Sequence, residues 1–194
     1  MPHPRDILRL ARPGDWTKNS FVLLAFVFWA ANAVRTQTAE EVWAKGGAVV
    51  LAFVAFCLVA SGFYAINDAI DAAKDRGHPV KARRPVASGA VTVTQAVGLG
   101  CTLIAGALAV GFTTDEGLGW AVALYGFLQV LYNLGLKRIA FVDVTTIAAG
   151  LALRAAAGAL AIDVQISVWL VLCVFFLCLY LGFIKRMCDL VAAE

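Results

Sequence analysis

Apolar residues in this chain gather in long blocks with little charge inside them, at roughly 19–34, 47–66, 92–112, 118–134, 141–162 and 167–184. A helix rising 1.5 Å per residue needs about 20 such residues to cross a hydrocarbon core about 30 Å thick, so each block spans, or nearly spans with tilt. Backbone polar groups in lipid are satisfied only within helices or closed barrels, and no polar-apolar alternation suggests barrel strands. The pattern predicts an all-α membrane protein of about six transmembrane helices, forming one domain over residues 1–194. Composition agrees. With 194 residues, 61% hydrophobic and 15% charged, and a mean hydropathy of +0.82, the chain is too apolar for a soluble domain. No repeat period and no low-complexity segment is evident.

Charge between the blocks sets an orientation. Arg5, Arg9, Arg12 and Lys18 precede the first block, Lys74 to Arg84 follow the second, Lys137 and Arg138 follow the fourth, and Lys185 and Arg186 follow the sixth. The other side carries Arg35 and Lys45 among Glu40, Glu41, Asp115, Glu116 and Asp163. Lys and Arg favour the cytosolic side, so both termini are expected there, in an inner (plasma) membrane. The net charge of +3 follows from this bias, and no basic stripe with interleaved aromatics points to nucleic acid. The segment PHPRDILRLARP has the period of a short interfacial helix ended by Pro13 and Gly14, with Trp16 at headgroup depth. Ala31-Asn32-Ala33 has the form of a signal-peptidase site, but the long mixed-charge segment before it favours an uncleaved anchor. The five cysteines lack metal-ligand spacing and read as small apolar fillers.

Asp68, Asp71 and Asp75 lie where the second block ends, and spacings of three and seven put them on one helical face. Hard carboxylate oxygens suit Mg²⁺, which typically bridges one or two carboxylates to substrate phosphates. Lys74, Arg76, Lys81, Arg83 and Arg84 follow, so metal ligands and phosphate clamps share one membrane edge. The bland reading is a solvated charged loop of surface pairs. Against it, Asp68 follows the block directly behind Tyr64 and Asn67, with no cation before it, at or inside the membrane boundary. The connection from Asp68 to about Ser88 contains Gly77, Pro79, Pro85 and Gly89 and is expected to be an ordered, turning loop.

Tyr132, Asn133, Lys137 and Arg138 close the fourth block, either as a topogenic flank or as a phosphate clamp. Arg154 is a cation inside a span, about 16 Å beyond Asp143 and nearly on the same face. It is expected to face the bundle interior and bond backbone carbonyls, a carboxylate or a substrate. Snorkelling is the alternative. His78, between Gly77 and Pro79, is expected to make a loop hydrogen bond and not to bind metal.

Two of these segments match motifs that the UbiA prenyltransferase superfamily shares, N-D-x-x-D-x-x-x-D and R-P-x-x-S-G. They are Asn67-Asp68-Ala69-Ile70-Asp71 with Asp75, and Arg84-Pro85-Val86-Ala87-Ser88-Gly89. The chain resembles this superfamily from about Arg9 to Leu190. Within it, the phosphoribosyltransferase branch is matched further by Arg12-Pro13 with Trp16, Lys18 and Asn19, by His78-Pro79 with Lys81, by Leu153-Arg154 with Ala157-Gly158, by Ser167 and Trp169, and by Lys185-Arg186. The prenyl-transferring members carry a second aspartate-rich motif after the sixth span. This chain has only Asp189 and Glu194 there, which fits the phosphoribosyl version.

The resemblance implies a UbiA-like bundle of about nine helices, so a chain with about six is expected to lack the last ones at its C-terminus. It implies a transferase of cell-envelope synthesis that moves 5-phosphoribose from the soluble phosphoribosyl diphosphate to a polyprenyl phosphate in the bilayer. Mg²⁺ would sit on Asp68, Asp71 and Asp75, and Asp68, Asp71 and Lys18 would serve catalysis. Tyr64, Asn67, Lys81, Arg84, Tyr132, Lys137, Arg138, Arg154, Lys185 and Arg186 would contact substrate. A prenyl diphosphate donor with an aromatic acceptor is the competing enzyme reading. Phosphotransfer of the CDP-alcohol type fits less well, since Ala72 stands where its motif needs Gly. A membrane scaffold or cation transporter is the non-enzyme alternative, and transport would call for carboxylates at midplane in several spans.

Overall fold

The computed structural model describes residues 3–33 and 37–191, and among them it is helical with no strand. Arg35 and Glu194 lie outside the described residues, as do the side chains of Arg138 and Asp189. The helices are α1 (Pro4–Ala11), α2 (Leu24–Ala33), α3 (Ala39–Asp75), α4 (Val93–Thr114), α5 (Glu116–Leu134), α6 (Ala140–Ala161) and α7 (Val168–Val191). A 3₁₀ stretch over Pro13–Leu23 leads into α2. The helices from α3 to α7 are each long and apolar enough to cross a membrane, five in all. The first predicted block is built differently, from the 3₁₀ stretch and α2 together. At about 2.0 Å per 3₁₀ residue and 1.5 Å per α residue its apolar part, residues 19–33, comes to about 25 Å, close to the thickness of the core, so about six crossings remain the reading.

Local chemistry sets the helix ends. Thr38 caps α3 by accepting from the Glu41 N–H, and Glu40 and Glu41 stand in its first turn. Thr92 and Gln95 form a reciprocal capping box on α4. Asp115 alone separates α4 from α5, its carboxylate accepting the Leu118 N–H at 2.9 Å. The largest departure from the hydropathy blocks is α3. Its 37 residues begin eight positions earlier and end nine later than the apolar run at 47–66, and at about 55 Å it overshoots the hydrocarbon core. Nothing in its sequence breaks the helix before Gly77 and Pro79, so it carries Asp68, Asp71 and Asp75 on two continuous turns.

The central core joins Phe56, Val59 and Phe63 of α3 to Leu118, Val122 and Tyr125 of α5, with Val22 and Ala157 against them. A second cluster seats Leu10 of α1 on Ala65, Ala69 and Ala72 of α3, with Val86, Val91 and Ala96. Thus α1 does not only lie along an interface: Leu10, its one buried residue, is seated in the bundle's basic end. Helix α7 meets the rest through α6, with Val174 on Ala152 and Ala155, while Phe176, Leu177, Tyr180 and Leu181 face outward.

Close backbone approach locks α3 to α4. A Cβ at Gly62 would stand 2.7 Å from Ile104 Cγ1 and 2.8 Å from the Gly100 carbonyl oxygen; one at Gly100 would stand 2.8 Å from the Gly62 carbonyl. Small residues at such crossings let helices in lipid gain packing energy without a hydrophobic drive between them. Gly62→Ala is expected to lower the thermal unfolding midpoint in detergent at a cost of about 1–3 kcal/mol. Gly98→Ala, where an added methyl meets nothing within 4 Å, is expected to be neutral. Equal melts for the two variants would show that the crossing does not constrain the fold.

Candidate active site

The last two turns of α3 carry Asp68 and Asp75 against two arginines. Asp68 is 2% exposed, and its Oδ1 accepts from Arg12 at 2.6 Å and lies 3.4 Å from Arg84. Arg84 donates to Asp75 Oδ2 at 2.7 Å. Arg12 also stacks over the Tyr64 ring, 5.0 Å from its centroid. It caps α1 with a φ of 50°, a left-handed conformation that costs a side-chain-bearing residue roughly 1–2 kcal/mol. The ion pair to Asp68 and the Ser61 hydroxyl, which donates to the Ala11 carbonyl at 2.7 Å, hold the turn in place. Trp16 joins this junction, its Nε1 donating to Ser61 Oγ at 3.0 Å.

The loop between α3 and α4 is ordered, as its composition predicts. His78 Nδ1 accepts the N–H groups of Val80 and Lys81, which is the loop role expected of it. The R-P-x-x-S-G segment is a turn whose residues each do something. Arg84 reaches Asp75, Val86 is buried in the core, and Ser88 donates to the Pro85 carbonyl at 3.2 Å. Gly89 takes a φ of +83°, where any Cβ would be strained.

Asp68, Asp71 and Asp75 do not converge as one metal-binding group, and among the described residues no three His, Cys, Asp or Glu side chains do. Two turns of helix separate Asp68 from Asp75, and Asp75 is turned to Arg84. What fits a metal is the pair Asp68 and Asp71. Asp68 Oδ2 is buried with no hydrogen-bond partner, and half-buried Asp71, one turn on, makes no side-chain hydrogen bond or ion pair among the described residues. Two carboxylates suffice for Mg²⁺ when substrate phosphates supply further oxygens.

Beside this rim a cavity of about 340 Å³ opens between the 3₁₀ stretch, α3, α5 and α6. Lys18, Tyr64, Asn67, Gln129, Tyr132, Thr146 and Arg154 give it polar groups, and no carboxylate lines it. Arg154 is 6% exposed. Its Nε donates to Asn19 Oδ1 at 2.8 Å, and its two terminal nitrogens donate to the Gly150 carbonyl at 2.8 Å and the Tyr125 hydroxyl at 2.9 Å. Its guanidinium sits 4.4 Å from the Tyr125 ring centroid and 5.7 Å from that of Phe56. Gln129 donates to the same Tyr125 hydroxyl. Lys18 stands at the open side, 57% exposed, bonded to Asp15 at 2.6 Å.

The structure brings Lys18, Tyr64, Asn67, Tyr132 and Arg154 to one cavity; Asp68, Asp71, Asp75 and Arg84 do not line it, and the carboxylates follow Asn67 along the last two turns of α3. Asp143 accepts from Tyr132 at 2.9 Å and from Arg186 at 2.8 Å, so Arg186 is spent on a bridge between α6 and α7. Lys81, Lys137 and Lys185 are exposed, with no side-chain partner among the described residues. Sequence reasoning did not single out Tyr125, Gln129 or the Arg12 to Asp68 pair. Tyr125 and Gln129 are four apart on one helical face, which was the available signal. At the opposite end of the bundle, a smaller cavity of about 250 Å³ carries no charged side chain.

The UbiA prenyltransferase family model matches residues 20–192 of this helical bundle, and the chain belongs to that family. It is 36% identical over 188 residues to decaprenyl-phosphate phosphoribosyltransferase of Mycolicibacterium smegmatis, covering 97% of this chain and 58% of that protein. The Mycobacterium tuberculosis protein of the same name is 34% identical over 97% of this chain and 61% of its own length. A solved UbiA homolog from Archaeoglobus fulgidus, bound to GPP and Mg²⁺, superposes with a TM-score of 0.71 at 22% identity, over 90% of this chain and 60% of that one. The chain thus spans about three fifths of the length of these relatives.

Asp68 depends on Arg12, since Arg84 is farther and shared. Arg12→Gln is expected to destabilise the protein by roughly 1–3 kcal/mol, because it strips a buried carboxylate of its shortest partner. In a double-mutant cycle with Asp68→Asn, thermal unfolding is expected to show coupling of about 1 kcal/mol or more. Additive effects would show that the pair contributes nothing.

Proposed function

We propose that the protein is a Mg²⁺-dependent transferase that moves 5-phosphoribose from phosphoribosyl diphosphate to a polyprenyl phosphate, with its basic end in the cytosol. The observation that carries this reading is the asymmetry of the site. A carboxylate rim suited to a metal-bound diphosphate adjoins a cavity whose only charged lining groups are cations. A neutral aromatic acceptor gives no reason for that charge and a benzoate would match one cation, whereas two phosphorylated substrates match both. The names of the relatives at 34–36% identity support the same substrates, and the charge bias of the connections supports the orientation.

Asp68 Oδ2 and Asp71 would hold Mg²⁺, which when bound neutralises charge on the departing diphosphate. Arg84 is poised beside them, and exposed Lys81 stands on the same loop to meet the outer phosphate. The bond from the anomeric carbon to the diphosphate oxygen breaks as a lipid phosphate oxygen bonds to that carbon, and diphosphate leaves with the electron pair. The attacking oxygen is already anionic, so no strong general base is required. Lys18 and Asn67, lining the cavity next to the rim, orient the two substrates. The apolar wall of Phe21, Phe63, Leu128, Ile147 and Leu151 suits the first part of a lipid tail.

In membranes carrying the protein, Asp68→Asn or Asp71→Asn is expected to reduce Mg²⁺-dependent transfer at least a hundredfold while leaving membrane insertion unchanged. The assay supplies labelled phosphoribosyl diphosphate with polyprenyl phosphate and, in parallel, labelled prenyl diphosphate with 4-hydroxybenzoate. Labelled lipid phosphate in the first arm is the expected outcome. Label only in the second arm would make the protein a prenyltransferase, and full activity in both variants would dismiss the metal assignment.

A further inference from the structure

The rim and the cavity differ in how their charge is balanced. At the rim, Arg12 and Arg84 are matched by Asp68 and Asp75, so the arginines there are already neutralised. In the cavity Arg154 has no such match. All of its hydrogen-bond acceptors, Asn19, the Gly150 carbonyl and the Tyr125 hydroxyl, are neutral. Arginine stays protonated in proteins and offers five N–H donors, so charge and donors both remain after those three contacts. A buried cation without a counter-ion is costly, more so inside a membrane protein, and the aromatic faces of Tyr125 and Phe56 offset only part of that cost. Lys18, paired with Asp15 at its exposed tip, lines the same cavity, and the amide groups of Asn67 and Gln129 add N–H donors for an oxyanion, whereas the hydroxyls of Tyr132 and Thr146 already donate to Asp143 and to the Val142 carbonyl.

We propose that this cavity is a phosphate monoester subsite, centred on Arg154 and working without a metal, separate from the rim that takes the diphosphate. The inference rests on the transferase reading for the source of the monoester, and that reading offers two. The acceptor ends in a lipid phosphate, and the donor carries a 5-phosphate away from its diphosphate. Either would give Arg154 the dianion it lacks, through the fork that guanidinium presents to phosphate oxygens. The role assigns to Arg154 more than a clasp between helices, since a clasp needs hydrogen bonds but no charge.

The test measures binding to the purified protein in detergent with EDTA present, so that metal-dependent contacts are silent. Farnesyl phosphate and ribose 5-phosphate are titrated, each against its neutral counterpart, farnesol or ribose. At least one phosphate is expected to bind tenfold or more tightly than its counterpart, and Arg154→Gln is expected to erase that advantage. An advantage for farnesyl phosphate assigns the subsite to the acceptor; one for ribose 5-phosphate assigns it to the donor's far end. If Arg154→Gln does not melt as a folded protein, the wild-type comparison stands with Lys18→Gln, expected to reduce the advantage severalfold. No advantage for either phosphate, or one that survives Arg154→Gln, overturns the proposal. A protein that binds phosphate through Arg154 but transfers nothing leaves this subsite standing and removes the transferase reading, whereas active transfer without metal-free phosphate binding does the reverse.

Discussion

A single guanidinium organises the interior of this bundle. Arg154 projects from α6 and fastens the 3₁₀ segment through Asn19, α5 through Tyr125, and the α3 core through the ring of Phe56. No apolar side chain could replace it, because Asn19 and the Tyr125 hydroxyl are buried and would lose a partner. The arrangement works only because the neighbouring backbone comes close. Gly158, one turn further along α6, has no Cβ where the Val22 carbonyl presses against it, so the 3₁₀ segment can lie near enough for Asn19 to meet Arg154. Packing and polarity are thus one constraint: the glycine sets the distance that the hydrogen bond uses.

The rim is governed by the same logic with the signs reversed. Asp68 is as deeply buried as a core residue, and Arg12 and Arg84 converge on it to offset the cost of burying a carboxylate. Those arginines come from distant parts of the chain, one from the cap of α1 and one from the turn before α4. The helix that delivers the carboxylates is also the one that packs most closely on α4, through Gly62 and Gly100. Membrane packing in the middle of α3 therefore holds its last two turns rigidly at the edge.

The membrane class, the helical architecture and the carboxylate face were legible in the sequence because each rests on a local pattern: block length, period and motif spacing. Helix ends were less legible. The apolar run of α3 stops near Ile66, but the helix continues to Asp75 because hydropathy reports lipid exposure while helix length is ended by breakers such as Gly77 and Pro79. The metal group was read as three carboxylates on one face, and that face is real. It does not reveal which of them an arginine from elsewhere will claim, and Asp75 went to Arg84. Arg186 followed the same rule, taken up by Asp143. Pairings across 56 or 43 positions have no periodic signature.

The placement of α1 has a mechanical consequence. This eight-residue helix is bolted to the bundle at Leu10, and the next residue but one, Arg12, grips Asp68. Force or displacement applied through α1 is transmitted over a lever of a few residues directly onto a carboxylate of the rim. An affinity handle, a fluorescent reporter or a surface tether attached ahead of Pro4 would accordingly pull on that rim, and such attachments are better placed on another part of the molecule.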